Sequence, residues 1–254
     1  MRKILWIIVL FVLTGFGTSL QAAPIAHWTF DEGSGTQALD SIGGFNGTLS
    51  ATGSSWVSGG AAGGALSLSK AAGGLVTMGD VLRLGTGPYS FVFWVKTSTT
   101  DTGIAVLTKH WATIPAGYFI GINSNGPYAT DTKAWFYNYY IGDEPISTTT
   151  VNDDQWHQII GVRGGGEVKI YVDGLPVESS HPDRGLTNPP QGTPFLIGGY
   201  FDGSNPVITY TGLIDDIQVY DHALTENEID FLFRHPGKTT QDFKTIYLPL
   251  ILTS

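Results

Sequence analysis

Along most of the chain, short apolar runs alternate with clusters of Gly, Asn, Asp, Ser and Pro. Near the start, Ala26, Trp28 and Phe30 interleave with His27, Thr29 and Asp31, the period of a half-buried strand. The same logic predicts strands at 65–69, 75–78, 89–96, 104–108, 118–122, 134–140, 156–163, 167–172, 195–199 and 209–220. Val168, Ile170 and Val172 alternate cleanly, and Asp173-Gly174 after them is a hairpin-turn signal. Gly164-Gly165-Gly166 joins two strands and opens no helix, so it reads as a hairpin turn and not as a phosphate loop. Many strands with tight turns and no helices between them predict an all-β fold, an antiparallel two-sheet β-sandwich. One short C-terminal helix completes the picture. Thr225 and Glu228 have capping-box spacing, Ile229, Leu232 and Phe233 give an apolar stripe, and His235-Pro236-Gly237 closes it.

The two ends depart from this pattern. Arg2 and Lys3 precede an apolar run over 4–13, and Ala22 and Ala23 stand just before Pro24. This reads as a secretory signal peptide over 1–22, too short to span a bilayer, and implies a secreted, extracellular, periplasmic or cell-surface domain over 23–237. Residues 238–254 read as a polar linker and a short apolar tail at 246–252, also too short to cross a membrane, so no membrane span is expected after signal removal. The tail is compatible with an added edge strand, a sorting tail or a frayed end.

Composition narrows the chemistry. The 254 residues include 34 glycines and no cysteine, and the formal net charge is −9. Absence of cysteine excludes a disulfide scaffold, thiolate zinc sites and thiol nucleophiles together. An acidic chain poor in Lys and Arg is a poor partner for nucleic acid, where phosphate neutralisation supplies much of the affinity.

Several strings point to one family. They are Ala26-His27-Trp28-Thr29-Phe30-Asp31-Glu32-Gly33-Ser34-Gly35-Thr36, Asp40-Ser41 and Asn46-Gly47-Thr48-Leu49, then Phe91-Val92-Phe93-Trp94-Val95-Lys96, Lys109, Gly117-Tyr118 and Trp156-His157-Gln158-Ile159. Val168-Lys169-Ile170-Tyr171-Val172-Asp173-Gly174 and Gly212-Leu213-Ile214-Asp215-Asp216-Ile217-Gln218-Val219-Tyr220, with Ala223-Leu224-Thr225, complete the set. Each is weak alone; in this order the chain resembles a laminin-G-like domain of the concanavalin A-like lectin/glucanase superfamily. The resemblance implies a jelly roll of two antiparallel sheets, often with structural calcium, and often binding glycans or proteins.

Asp215 shares parity with Leu213, Ile217 and Val219, so on a regular strand it points with the apolar face, where a carboxylate is costly unless paired or liganded. If the first and last strands lie close, as is common in a jelly roll, Asp31, Asp40 and Asn46 come near it. Oxygen ligands of this kind suit Ca2+ as a structural ion; Asp216 has the opposite parity and is the weaker choice. The competing reading makes Asp31 and Asp40 turn residues satisfying backbone amides, with Asp215 hydrogen-bonded to a neighbouring loop.

Catalytic patterns are missing from the sequence. The catalytic relatives carry Glu-x-Asp-x-x-Glu on one strand, and no such string occurs here. Glu226 and Glu228 fall at a helix start, and Asp153-Asp154 before Trp156 reads as a turn, because adjacent side chains on a strand face opposite ways. No His-Glu-x-x-His or Gly-x-Ser-x-Gly string occurs. Trp135, Tyr137 and Tyr139 instead share one strand face, with Phe136 on the other, and Trp111 and Tyr118 flank a neighbouring hairpin. Flat rings stack on the C–H faces of sugars, so one of the two faces is expected to be core and the other a glycan platform. Three functions compete: a non-catalytic carbohydrate-binding, lectin-like domain with calcium, a cell-surface or matrix protein-interaction module, and a polysaccharide-cleaving enzyme with unfamiliar residues.

Overall fold

The computed structural model describes residues 23–111, 114–123, 132–137, 144–185, 187–243 and 245. The signal segment 1–22, the tail 246–252 and Tyr139 lie outside the described residues. In chain order the strands are β1 (Ala26–Trp28), β2 (Gln37–Ala38), β3 (Gly47–Leu49), β4 (Ser54–Ser58), β5 (Gly64–Leu68) and β6 (Val76–Thr77). There follow β7 (Tyr89–Lys96), β8 (Ile104–Trp111), β9 (Ile114–Ile122), β10 (Lys133–Phe136), β11 (Ile146–Thr150) and β12 (Trp156–Gly164). The last are β13 (Glu167–Val172), β14 (Ser179–Pro182), β15 (Leu196–Ile197), β16 (Gly199–Phe201), β17 (Pro206–Ile208) and β18 (Gly212–Tyr220), then helix α1 (Glu226–Arg234).

These strands form the two sheets of a β-sandwich jelly roll. The first runs β14-β13-β12-β7-β18-β5-β4, with β1 pairing the far half of β18. The second runs β11-β10-β9-β8-β15-β6-β3-β2, with the β16–β17 hairpin attached beside β8. Trp28 pairs with Ile217, so the beginning and end of the sandwich meet in one sheet. The turn at Gly165-Gly166 has φ of 63° and 82° and joins Gly164 to Glu167, a two-residue connection that needs left-handed backbone. Asp173-Gly174 instead opens a longer loop, because the next pairing is Ile170 with Ser179.

Tyr89, Phe91, Phe93 and Val95 of β7 meet Ile104, Val106, Tyr118, Ile120 and Phe136 of the second sheet in the inter-sheet core. Trp28 stacks on Phe195 there, with ring centroids 5.9 Å apart. The opposite side of the first sheet is buried too. Val92, Ile160, Val162, Tyr171 and Tyr220 pack under Ile229, Phe231 and Leu232 of α1. Residues 89–95 are therefore buried on both faces, which is why they read as a continuous apolar run and not as an alternation. The predicted linker is part of this cover: residues 240–243 are helical and Phe243 packs edge-on against Phe231, centroids 5.2 Å apart. Phe233, expected in the buried stripe, is half-exposed and stacks on Trp94.

The capping box is complete. Glu228 N donates to Thr225 Oγ1, and Thr225 N donates to Glu228 Oε2 at 2.7 Å. Thr225→Ala is expected to cost about 0.5–2 kcal/mol in a denaturant titration, because the Glu228 amide loses its side-chain acceptor.

Candidate functional site

With α1 closing the outside of the first sheet, the outside of the second carries the aromatic surface. Trp135 faces outward from β10 and Phe136 inward to the core. Trp135 stacks on Phe119 of β9, centroids 4.6 Å apart and 24° between planes. Gly121 permits this, since a Cβ there would come within 2.9 Å of the indole. Trp135 is only 7% exposed and is the floor of the patch. Half-exposed rings surround it: Tyr137, His110 and Tyr200. His110 lies 5.2 Å from Tyr137 and 5.9 Å from Phe119, Tyr200 lies 6.2 Å from Phe119, and Trp111 meets Phe201 edge-on at 5.4 Å. Burial pushes the His110 imidazole below its ordinary range despite the Ala116 carbonyl at Nδ1, so the ring is neutral at physiological pH. The patch thus offers apolar ring surface and neutral polar rims.

Trp135 and Tyr137 therefore come together; Trp111 instead packs on Phe201, its register partner, and Tyr118 does not join them. It is 3% exposed, points into the inter-sheet core, and donates its hydroxyl to Leu82 O. Its place is set by pairing with Lys109, whose side chain also turns inward. His110 and Phe119 join the patch unforeseen, and so does Tyr200, an aromatic expected in a loop. His110 falls within β8, which runs three residues beyond its expected end, and Tyr200 lies on β16, a strand too short to stand out.

The acidic residues divide into two groups. Asp40 is a turn residue: its carboxylate accepts the amides of His27 (2.8 Å), Ile42 (3.0 Å) and Phe45 (3.0 Å). Asn46 Oδ1 accepts the Asp40 amide at 2.9 Å. The oxygens of both are thus engaged within their own loop, as the turn reading expects. Asp31 and Asp215 meet at the turn between β4 and β5. Asp31 Oδ1 accepts Gly64 N at 2.6 Å, and Asp215 Oδ2 accepts Ala62 N at 2.9 Å. A Cβ at Gly60 would lie 2.5 Å from Asp215 Oδ2, and one at Gly63 2.3 Å from Asp31 Oδ1, so the turn's glycines admit both carboxylates.

Asp215 is fully buried. Burial pushes its carboxyl up to about 7, and the charges of Asp216 and Asp31 add to the rise while the amides of Ala62 and Asp216 oppose it. Among the described residues no lysine or arginine neutralises it; its hydrogen-bond partners are both backbone amides. Its position is not the expected one. A bulge between Asp215 and Gln218, with Asp216 at φ 46°, reverses the parity of β18. Asp215 pairs with Trp94 on the outer side, while Ile217 and Val219 face the core. Asp216 instead bonds His27 Nε2 at 2.6 Å and accepts Gly237 N at 3.0 Å, tying the segment after α1 to the sheet. Among the described residues no group of three or more His, Asp or Glu side chains converges as a ligand set. A cation at this turn would rest on Asp31, Asp215 and nearby backbone oxygens such as Gly64 O and Phe30 O, a hard-oxygen set that fits calcium.

Comparison with known proteins gives this geometry its context. Residues 70–230 match the Laminin_G_3 family of the concanavalin A-like lectin/glucanases superfamily. A curated relative, adhesion G-protein coupled receptor V1 of Danio rerio, is 25% identical over 166 residues, which is 64% of this chain and 2% of the receptor. Domain 4 of AbnA, an extracellular arabinanase of Geobacillus stearothermophilus solved with arabinotriose, superposes with a TM-score of 0.62 at 22% identity, covering 83% of this chain and 98% of that one. The binding domain of Paraclostridial mosquitocidal protein 1 superposes at 0.60 with 13% identity, over 83% of this chain and 51% of that one. No helix among the described residues is long and apolar enough to cross a membrane.

Proposed function

Since the chain belongs to the Laminin_G_3 family of the concanavalin A-like lectin/glucanases superfamily, we propose that it is a secreted, non-catalytic carbohydrate-binding domain. Its ligand surface is the aromatic outer face of the second sheet, and a structural calcium ion at Asp31 and Asp215 pins the β4–β5 turn. One observation carries this reading: α1 closes one outer face of the sandwich, while the other keeps Tyr137 and Tyr200 half-exposed around a buried Trp135. Such rings stack on sugar C–H faces, and the tyrosine hydroxyls serve the polar rims. The arabinotriose complex of the AbnA domain supports a glycan ligand for this fold. The similarity to an adhesion receptor supports a second reading, in which the same face binds a cell-surface or matrix protein.

Affinity electrophoresis of the chain through gels loaded with neutral polysaccharides, arabinan first, tests the proposal. Wild type is expected to be retarded. Tyr137→Ala combined with Tyr200→Ala should abolish retardation with the melting temperature within about 3 °C, because half-exposed rings contribute little to the core. Unretarded wild type, or full retardation of the double variant, would remove this surface as the glycan site.

A further inference from the structure

Away from the aromatic face, one end of the sandwich holds a polar cleft of about 300 Å3. Lys96, Ser98, Thr99, Asp154, Thr211 and Gly212 line it. It sits where β7 ends, β12 begins and β18 begins, and backbone bonds fix the three segments. Asp154 N donates to Thr97 O at 2.9 Å, Thr97 Oγ1 donates to Thr211 O at 2.6 Å, and Asn152 Nδ2 and Asn123 Nδ2 both donate to Thr99 O. Gly212 keeps the floor open: at φ 151°, a Cβ there would meet Lys96 O at 2.7 Å.

Lys96 stands apart from the other basic residues. Among the described residues every other lysine and arginine has an ion pair or hydrogen bond, and the Lys96 ammonium has neither. Asp154, exposed at the rim of the same cleft, is held at φ 62°, a left-handed conformation uncommon for a non-glycine residue, and its carboxylate has no protein partner among the described residues. The two charges share one cleft without pairing. By register the half-buried Trp156 lies beside Lys96 on one side and Leu213 on the other.

We propose that this cleft binds a carboxylate-bearing sugar residue of the uronic acid class. Lys96 takes the sugar carboxylate, and Asp154 and the Ser98, Thr99 and Thr211 hydroxyls take the ring hydroxyls. Both charges are needed by such a ligand, which presents an anion and O–H donors on one small ring. A simple anion would be repelled by Asp154, and a neutral sugar would gain no charge attraction from the Lys96 ammonium. The volume is at the small end of ligand sites, roughly 300–1,000 Å3, and suits a single ring. The site is independent of the aromatic face, which lies on the other sheet.

Nuclear magnetic resonance titration of the whole chain with methyl glucuronide, methyl glucoside and inorganic phosphate separates the alternatives. The glucuronide is expected to bind at least about 10-fold more tightly than the glucoside, with shifts at Lys96, Ser98 and Asp154. Lys96→Gln should remove that preference, Asp154→Asn should weaken both sugars, and added salt should weaken the glucuronide alone. The Tyr137→Ala, Tyr200→Ala double variant should bind glucuronide as wild type does, whatever the fate of its neutral-glycan retention. Equal affinity for the two glycosides, an unaffected Lys96→Gln, loss in the aromatic double variant, or phosphate binding as tightly as glucuronide would each overturn the proposal.

Discussion

Asp80→Ala is expected to cost the fold about 3–5 kcal/mol. Lys109 points inward from β8 and is completely buried, and its ammonium has two partners: Asp80 Oδ1 at 2.6 Å and Thr193 O at 2.7 Å. Removing the carboxylate leaves a buried charge facing one carbonyl. It also takes one partner from Arg83 and the acceptor from the Gly192 amide, which bond the same carboxylate at 3.0 and 2.8 Å, so the loop after β6 and the loop before β15 loosen together. At about 2–4 °C per kcal/mol for a chain of this size, the melting temperature should fall by roughly 10 °C or more. Combining Asp80→Ala with Lys109→Met should recover much of the loss, because the cost lies in the stranded charge and not in the missing pair.

The same pair sets an acid limit. Burial would raise the Asp80 carboxyl, but hydrogen bonds from Lys109, Gly192 and Arg83 and the charge of Lys109 outweigh it, and the group is held well below the usual carboxylate range. A depressed folded value means that its stabilisation is fully present above the ordinary value of 3.8 and is lost as pH falls below that, through the folded value. Wild type should therefore lose stability on acidification more steeply than Asp80→Ala, and urea midpoints measured between about pH 2 and pH 7 would show it. A variant that unfolds less than about 1 kcal/mol below wild type would mean that Lys109 is solvated, not buried.

Neither Asp80 nor its importance could be read from the pattern of the chain, and the reason is general. Strand periodicity reports which side of a sheet a residue faces, and it worked where both neighbours obey it. Residues 89–96 and 167–172 were placed to the residue, and the alternation at 135–136 did separate an inner from an outer face. It fails at a bulge. The extra residue at Asp215-Asp216 reverses every side chain beyond it, and nothing in Ile214-Asp215-Asp216-Ile217 distinguishes a bulged strand from a regular one. It also says nothing of partners distant in sequence. Asp80 and Lys109 meet because β15 lies between β6 and β8, a neighbourhood that only the sheet order supplies. Asp40 shows the complementary case. Its short-range pattern suited a turn as well as a ligand, and three backbone amides decide it. The meeting of the chain ends was legible through resemblance alone, since no local signal links Trp28 to Ile217.

Removing calcium is expected to lower the melting temperature of wild type by about 5–10 °C, and restoring it to reverse the loss. Asp215 is a fully buried carboxylate with backbone amides for partners and two acidic neighbours, Asp31 and Asp216. A divalent ion shared with Asp31 would offset that charge and hold the β4–β5 turn against β18. At about 100-fold excess over its dissociation constant, a ligand of the folded state adds about 2.7 kcal/mol, which sets the size of the shift. Asp215→Asn should abolish the response, and in chelator it should be at least as stable as wild type, because the amide buries no charge. Asp40→Ala separates this from a general weakening of the fold. It strands three backbone amides and should lower stability by the same amount with and without calcium, leaving the calcium shift intact. Wild type that melts at one temperature in chelator and in calcium, or an Asp40→Ala chain that loses the shift while Asp215→Asn keeps it, would place the cation elsewhere or nowhere on this turn.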